Sequence, residues 1–163
     1  MILAGLGANL PAPDGRSPRE TCEAALAALS AAGVTVLRRS RWYRSAPVPA
    51  SDQPWFINGV AALETDLGPE RLLDLLHRIE HALGRVRSTP NAARTLDLDL
   101  LAYHGVVSGG PPRLPHPRLH ERAFVLLPLR EVCPDWRHPE HGASVESMIA
   151  ALGPDLGSVK VDC

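Results

Sequence analysis

The chain has 163 residues, the size of one domain, and 45% of them are hydrophobic, enough to fill one core. Basic and acidic residues nearly balance at a net charge of −1, which gives no general attraction to nucleic acid or an anionic membrane. Lys160 is the single lysine, so any anion site has to be a local cluster of arginines.

Arginine suits planar, two-pronged contacts to phosphate, although a GC-rich coding sequence would leave the same bias. Cys22, Cys133 and Cys163 are scattered, without a paired motif, and read as reduced thiols. No run approaches the ~18–20 apolar residues of a membrane span. Met1-Ile2-Leu3-Ala4-Gly5-Leu6 lacks the basic lead and cleavage site of a signal peptide and reads as a first strand. The expectation is a cytoplasmic protein, one domain over residues 1–163, monomeric, with no membrane or nucleic-acid partner.

Ile2 to Leu6 predicts a strand that breaks at Gly7-Ala8-Asn9. Ser17-Pro18-Arg19-Glu20 predicts a helix start, with serine as cap, proline in the first turn and glutamate closing a capping box. That helix stops at Gly33. Val34 to Tyr43 reads as a strand, and the prolines between Ser45 and Pro54 predict a long loop. Phe56 to Glu64 is the next strand. Pro69 opens a second helix, in which Leu72, Leu76, Ile79 and Leu83 form a buried stripe beside a second one of Leu73, His77 and Glu80. After Gly84 come a loop from Arg85 to Arg94, a strand from Thr95 to Tyr103, and helices over Glu121–Val132 and Val145–Leu152. The tail from 153 to 163 carries no pattern. Strand, helix, strand, strand, helix, strand predicts an α+β fold: a ferredoxin-like βαββαβ antiparallel sheet with additional C-terminal helices.

The segment Arg94-Thr95-Leu96-Asp97-Leu98-Asp99-Leu100 carries the most chemistry. Alternate residues of a strand share a face, so Asp97 and Asp99 project together, about 6.6 Å apart at Cα, while Leu96, Leu98 and Leu100 enter the core. Paired carboxylates at that spacing suit one or two magnesium ions. Arg85, Arg87 and Arg94 lie just upstream, as fixed donors for a polyphosphate. Arg78 follows Asp74 by one helical turn, reads as its surface partner and is left out of the site. His116 and Arg122 flank another helix start.

His116 with His120, and Cys133 with His138 and His141, match no recognised zinc pattern. Neither a P-loop nor a G-x-G-x-x-G turn is present, so a nucleotide would be held by side chains and metal. Phe56 and Asn58 share a strand face and could stack on and hydrogen-bond to a flat heterocycle, although a phenylalanine so placed is more often simply core. These residues alone fit a metal-assisted phosphoryl or nucleotidyl transferase with an open choice of acceptor. A sheet that binds RNA fits less well, because Asp97 and Asp99 would repel phosphate.

Together the motifs resemble the 6-hydroxymethyl-7,8-dihydropterin pyrophosphokinase family over roughly residues 2–152. They are Gly7-Ala8-Asn9-Leu10, Tyr43-Arg44-Ser45-Ala46-Pro47, Asp52-Gln53-Pro54 leading to Phe56 and Asn58, Gly84-Arg85-Val86-Arg87, the aspartate strand, and Leu114-Pro115-His116-Pro117 with Arg122 and Phe124. The resemblance implies transfer of pyrophosphate from MgATP to the pterin alcohol, giving AMP and the pterin diphosphate. It implies two magnesium ions on Asp97 and Asp99, with Arg85 and Arg94 catalytic beside them. It places His77, Glu80, Arg85, Arg87, Arg94, Leu100, His116 and Arg122 around the nucleotide. Phe56 and Phe124 would sandwich the pterin, Asn58 would bond its edge, and Gly7 and Val48 would line its pocket. Asp97 would accept the hydroxyl proton, and the loops at 45–54 and 85–94 would close as lids. Asn91-Ala92-Ala93 stands where many members carry Trp-Gly-Pro, His77 where many carry glutamine, Ala8 for a frequent serine and Pro117 for a tyrosine of some members.

Overall fold

The computed structural model describes residues 1–86 and 92–162. Its elements run β1 (Ile2–Ala8), α1 (Pro18–Ala31), β2 (Thr35–Arg39), β3 (Tyr43–Ser45), β4 (Phe56–Glu64), α2 (Pro69–Ala82), β5 (Asp97–Tyr103), α3 (Ala123–Val132), α4 (Val145–Ala150) and β6 (Val159–Val161). Single 3-10 segments occupy Leu119–Glu121 and Gly153–Ser158. The antiparallel sheet is ordered β5-β1-β4-β3-β6, with β2 also paired to β4. The α+β arrangement expected from the element order is therefore the one found.

Alternation along the strands divides the core between two faces of the sheet. Ile2, Ala4 and Leu6 of β1, Ala61 and Leu63 of β4 and Leu98 and Leu100 of β5 pack on one face against α1 and α2. Leu3, Val60, Ala62 and Leu101 pack on the other against α3 and α4. The parity changes on β5 because a register shift between Leu3 and Ala4 leaves Leu101 as an extra residue, a bulge. Among the described residues, no helix is long and apolar enough to cross a membrane.

Both long helices begin as their sequences predict. Ser17 Oγ accepts the Glu20 N–H and the Glu20 carboxylate accepts the Ser17 N–H, completing the capping box. Pro69 occupies the first turn of α2.

The structure departs from the sequence expectations in several places, the first in β1, which continues through Gly7 and Ala8 where the sequence predicts a break. The single strand expected over 34–43 is divided into β2 and β3. Ser40 N–H donates to the Val60 carbonyl, and Ser40 Oγ accepts the Val60 N–H. Trp42 then lays its ring on Gly59, where a Cβ would lie only 2.6 Å from it, so the chain steps around the ring before pairing again. The helix expected from Glu121 begins at Ala123 instead, because a 3-10 turn anchored by buried Leu119 precedes it and Arg122 is extended. The tail, without pattern in the sequence, forms β6, whose Val159 and Val161 pair with Ser45 and Tyr43.

Candidate active site

One row of the sheet builds the floor of the site. Gly7 on β1 is paired with Asn58 of β4 on one side and with Asp97 of β5 on the other, and Asn58 is paired in turn with Tyr43 of β3. By alternation Asp97 and Asp99 share the face that Leu101 presents to α3. Phe56 and Asn58 share the corresponding face of β4 with Val60. The first residues of α3 stand over this end of the sheet.

The result is a cleft of about 210 Å³. Gly7, Val48, Phe56, Asn58 and Phe124 line it together with Arg94, Asp97 and Arg122. Val48 is exposed at its rim. The tight register explains Gly7: an added Cβ would lie 3.0 Å from Asn58 Oδ1. Asn58 itself is fixed, since its Nδ2 donates to Ser45 Oγ at 2.5 Å. The Arg122 guanidinium lies over the Phe124 ring, 5.4 Å from its centre, joining the cationic and aromatic walls.

Charged groups interlock at the other end. Arg85 lies 2.7 Å from Asp97 Oδ1 and also pairs with Glu80, while Arg94 reaches Asp97 Oδ2 at 3.0 Å. Glu80 is buried, and its carboxylate accepts the Leu98 N–H at 2.8 Å, so α2 is tied to β5 between the two aspartates. Burial and the neighbouring Asp97 carboxylate push the Asp99 carboxyl up to about 7, against the pull of Arg122 and Arg94. His116 is held down at about 4 by burial and then by the Arg122 cation, so its ring is neutral at pH 7. Cys22, as a thiol deep in the core, is pushed up to about 12 by burial.

Not every expected site residue joins this group. His77 is exposed on α2, in a shallow depression with Leu67, Arg71, Asp74 and Arg78. The stripe expected to unite it with Glu80 divides, because residues three apart on a helix point about 60° away from each other. Leu100 buries its side chain in the core, leaving only its main chain for a ligand. Arg87 lies outside the described residues.

Other residues contribute that the sequence alone does not assign to the site, although Asn9 and Ser45-Ala46-Pro47 stand in its motifs. Ser45, Ala46, Pro47, Arg118, Glu121, Ser158 and Val159 also line the cleft. Arg118 and Glu121 fall inside the His116–Arg122 block, which was a usable signal; Ser158 and Val159 had none. Asn9 joins three segments of the site. Its Nδ2 donates to Gln53 Oε1 and to the Pro54 carbonyl, both at 3.1 Å, and its Oδ1 accepts the Arg94 N–H.

The comparisons with known proteins agree on the family. Residues 3–134 match the model of the 7,8-dihydro-6-hydroxymethylpterin-pyrophosphokinase family. The chain belongs to this family. It is 41% identical over 152 residues to the 2-amino-4-hydroxy-6-hydroxymethyldihydropteridine pyrophosphokinase of Pseudomonas aeruginosa, covering 92% of this chain and 90% of that relative. The enzyme of the same name from Haemophilus influenzae is 42% identical over 139 residues, or 83% and 84% of the two chains. Among solved structures, wild-type Plasmodium falciparum HPPK-DHPS superposes with a TM-score of 0.62 at 11% identity, covering 92% of this chain and 44% of that one. At that identity the likeness speaks for the fold alone, and this chain spans less than half of that structure.

Proposed function

We propose that this protein transfers the pyrophosphoryl group of MgATP to 6-hydroxymethyl-7,8-dihydropterin, yielding AMP and the pterin diphosphate in folate biosynthesis. The observation that carries this reading is the row Asp97–Gly7–Asn58, which sets a slot for a flat ring directly beside a carboxylate and arginine cluster.

Phe56 and Phe124, both on the cleft lining, would stack on a pterin, and Asn58, oriented by Ser45, offers its amide to the edge of the heterocycle. Gly7 leaves the floor free for close approach. The hydroxymethyl oxygen then attacks the β-phosphorus, the bond to the α-phosphate oxygen breaks, and AMP leaves with that electron pair. We assign Asp97, on the cleft wall, as acceptor of the hydroxyl proton. Arg94 and Arg122 line the same cleft and Arg85 adjoins it, so guanidinium donors face the phosphate oxygens as charge is redistributed. In this reading His116, Glu80 and the main chain at Leu100 serve the nucleotide side, to which the family resemblance also assigns Arg87.

Asp97 and Asp99 fit a magnesium centre. They are hard oxygen donors on one face, and a divalent ion there would offset the repulsion between the two carboxylates that, after burial, raises the Asp99 carboxyl. Two magnesium ions held there would neutralise phosphate charge and orient the nucleotide. The 45–54 loop borders the slot through Ala46, Pro47, Val48 and Pro49, and its closure would exclude water that otherwise wastes ATP; residues 87–91 of the second expected lid, 85–94, lie outside the described residues. The protein acts in the cytoplasm as a monomer in this reading.

Product analysis tests the reaction. Incubation with MgATP and the pterin alcohol is expected to give AMP and pterin diphosphate in equal amounts by phosphorus NMR. ADP with a pterin monophosphate would instead mean transfer of a single phosphoryl group.

A further inference from the structure

The 3-10 turn Leu119–Glu121 and the loop that leads into α4 bring three histidines together. One ring nitrogen from each of His120, His138 and His141 lies within 4.8 Å of the other two. His138 is buried, 4% exposed, with the edge of Trp136 5.9 Å from its ring. The rings of His138 and His141 stack at 3.7 Å, and both stand edge-on to His120. None of the three lines the cleft.

Three imidazoles turned toward one another make a poor structural core. Each offers a polar nitrogen that needs a partner, and any two protonated rings would repel. His120 Nδ1 is buried and has no hydrogen-bond partner. Its other nitrogen, Nε2, lies 3.7 Å from a Glu121 carboxylate oxygen. A carboxylate that closes on this nitrogen would orient a metal-bound imidazole, and it leaves the unpartnered Nδ1 as the ligand atom. Burial, and then the neighbouring His141 and His120 rings, lower the proton affinity of His138.

We propose that His120, His138 and His141 form a transition-metal site that takes zinc, or a similar borderline divalent ion, on three imidazoles with a fourth position for water. Three nitrogen donors suit zinc and its neighbours in the transition series and are poor for magnesium, so the site is chemically separate from the aspartate pair. We assign ligation to Nε2 of His138 and His141, whose Nδ1 atoms accept backbone N–H groups of Glu140 and Ala143 at 3.3 and 3.4 Å in the metal-free protein. Ligation moves each ring proton to Nδ1 and costs those two contacts, which are weak at that length. Parallel rings share one ion only when one tilts; exposed His141 has the freedom to do so, while buried His138 is the fixed post. The bound ion would fasten the turn before Arg122 to the loop 138–143.

The test is titration of the full protein with Zn²⁺ alone against a chromophoric chelator, with thermal melting in parallel. Native protein and Asp99→Asn are each expected to bind one tight equivalent that excess Mg²⁺ does not displace. His141→Ala, a change at an exposed position, is expected to weaken that binding by about 100-fold or more and to lose the zinc-dependent rise in melting temperature. Its pyrophosphoryl transfer with magnesium should be unchanged. Zinc affinity equal in His141→Ala and native protein would overturn the proposal. So would zinc binding that disappears in Asp99→Asn or under excess Mg²⁺, since the ion would then sit on the aspartates.

Discussion

Asn9 and Arg94 exchange two hydrogen bonds: the Asn9 N–H donates to the Arg94 carbonyl at 3.0 Å, and the Arg94 N–H donates to Asn9 Oδ1 at 2.8 Å. The same buried side chain holds Gln53 and Pro54 through its Nδ2. One amide thus fixes both the arginine that faces Asp97 and the loop that borders the pterin slot.

Two substitutions at this position separate those roles. Asn9→Asp keeps the acceptor for Arg94 and loses the donor to the loop, so the KM for the pterin should rise with kcat less affected. Asn9→Ala loses both, lowers kcat as well, and costs about 2–3 kcal/mol in stability by leaving buried groups unpaired. Steady-state kinetics and thermal melting of both variants check this; identical kinetics for the two would refute the division of roles.

Asp99→Asn should stabilise the metal-free protein while removing its activity. Folding raises the Asp99 carboxyl to about 7 through burial and Asp97. The folded state therefore binds the proton more tightly than the unfolded chain, and stability falls as pH rises from about 4 through 7. The amide escapes that cost, so the variant should match the native protein near pH 4 and exceed it at pH 8 by about 1–3 kcal/mol. Turnover should drop at least about 100-fold with the loss of a metal ligand. Denaturant melts at the two pH values, without metal, decide the first part.

Gly7→Ala tests the floor of the slot. Its Cβ would press on Asn58 Oδ1 at 3.0 Å, and Asn58 is already fastened to Ser45. The expected outcome is a pterin KM raised by about tenfold, equivalent to about 1.4 kcal/mol, with the KM for ATP little changed. Equal effects on both substrates would place the pterin elsewhere.

For His116 the sign of the linkage is opposite. Burial and Arg122 hold its ring down at about 4, so the folded state binds fewer protons than the unfolded chain between about pH 4 and 6.5. Its contribution is fully present above pH 6.5 and is lost as pH falls to 4. His116→Asn should flatten that part of the stability profile by about 1–2 kcal/mol, a figure reduced for solvent screening of a ring that is not fully buried. A profile unchanged by the substitution would contradict the assignment.

The legible parts of the sequence were those with a local cause. The capping box at Ser17 and Glu20, the Pro69 helix start and the alternation through Leu96–Leu100 each depend on neighbours in the chain, and each is found in place. The division of β2 from β3 depends on Trp42 meeting Gly59, a contact across strands that spacing does not encode. β6 exists because Ser45 and Tyr43 offer an unpaired edge to Val159 and Val161, a segment too short to carry its own pattern. In the site, Asp97, Asp99 and the arginines could be read from the strand and the loop before it. The bond from Glu80 to the Leu98 N–H and the four contacts of Asn9 could not, because both require the sheet to be assembled first. The convergence of His120, His138 and His141 is of the same kind: spacing grouped His138 and His141 with Cys133, and His120 with His116.

The most direct test of the proposed reaction is AMP release from MgATP, measured with and without 6-hydroxymethyl-7,8-dihydropterin, for the native protein and for Asp97→Ala. The predicted result is AMP formation that requires the pterin and is lost in the variant. AMP or ADP formed at the same rate without the pterin, or turnover that survives Asp97→Ala, would contradict the placement of acceptor and carboxylate on one row of the sheet.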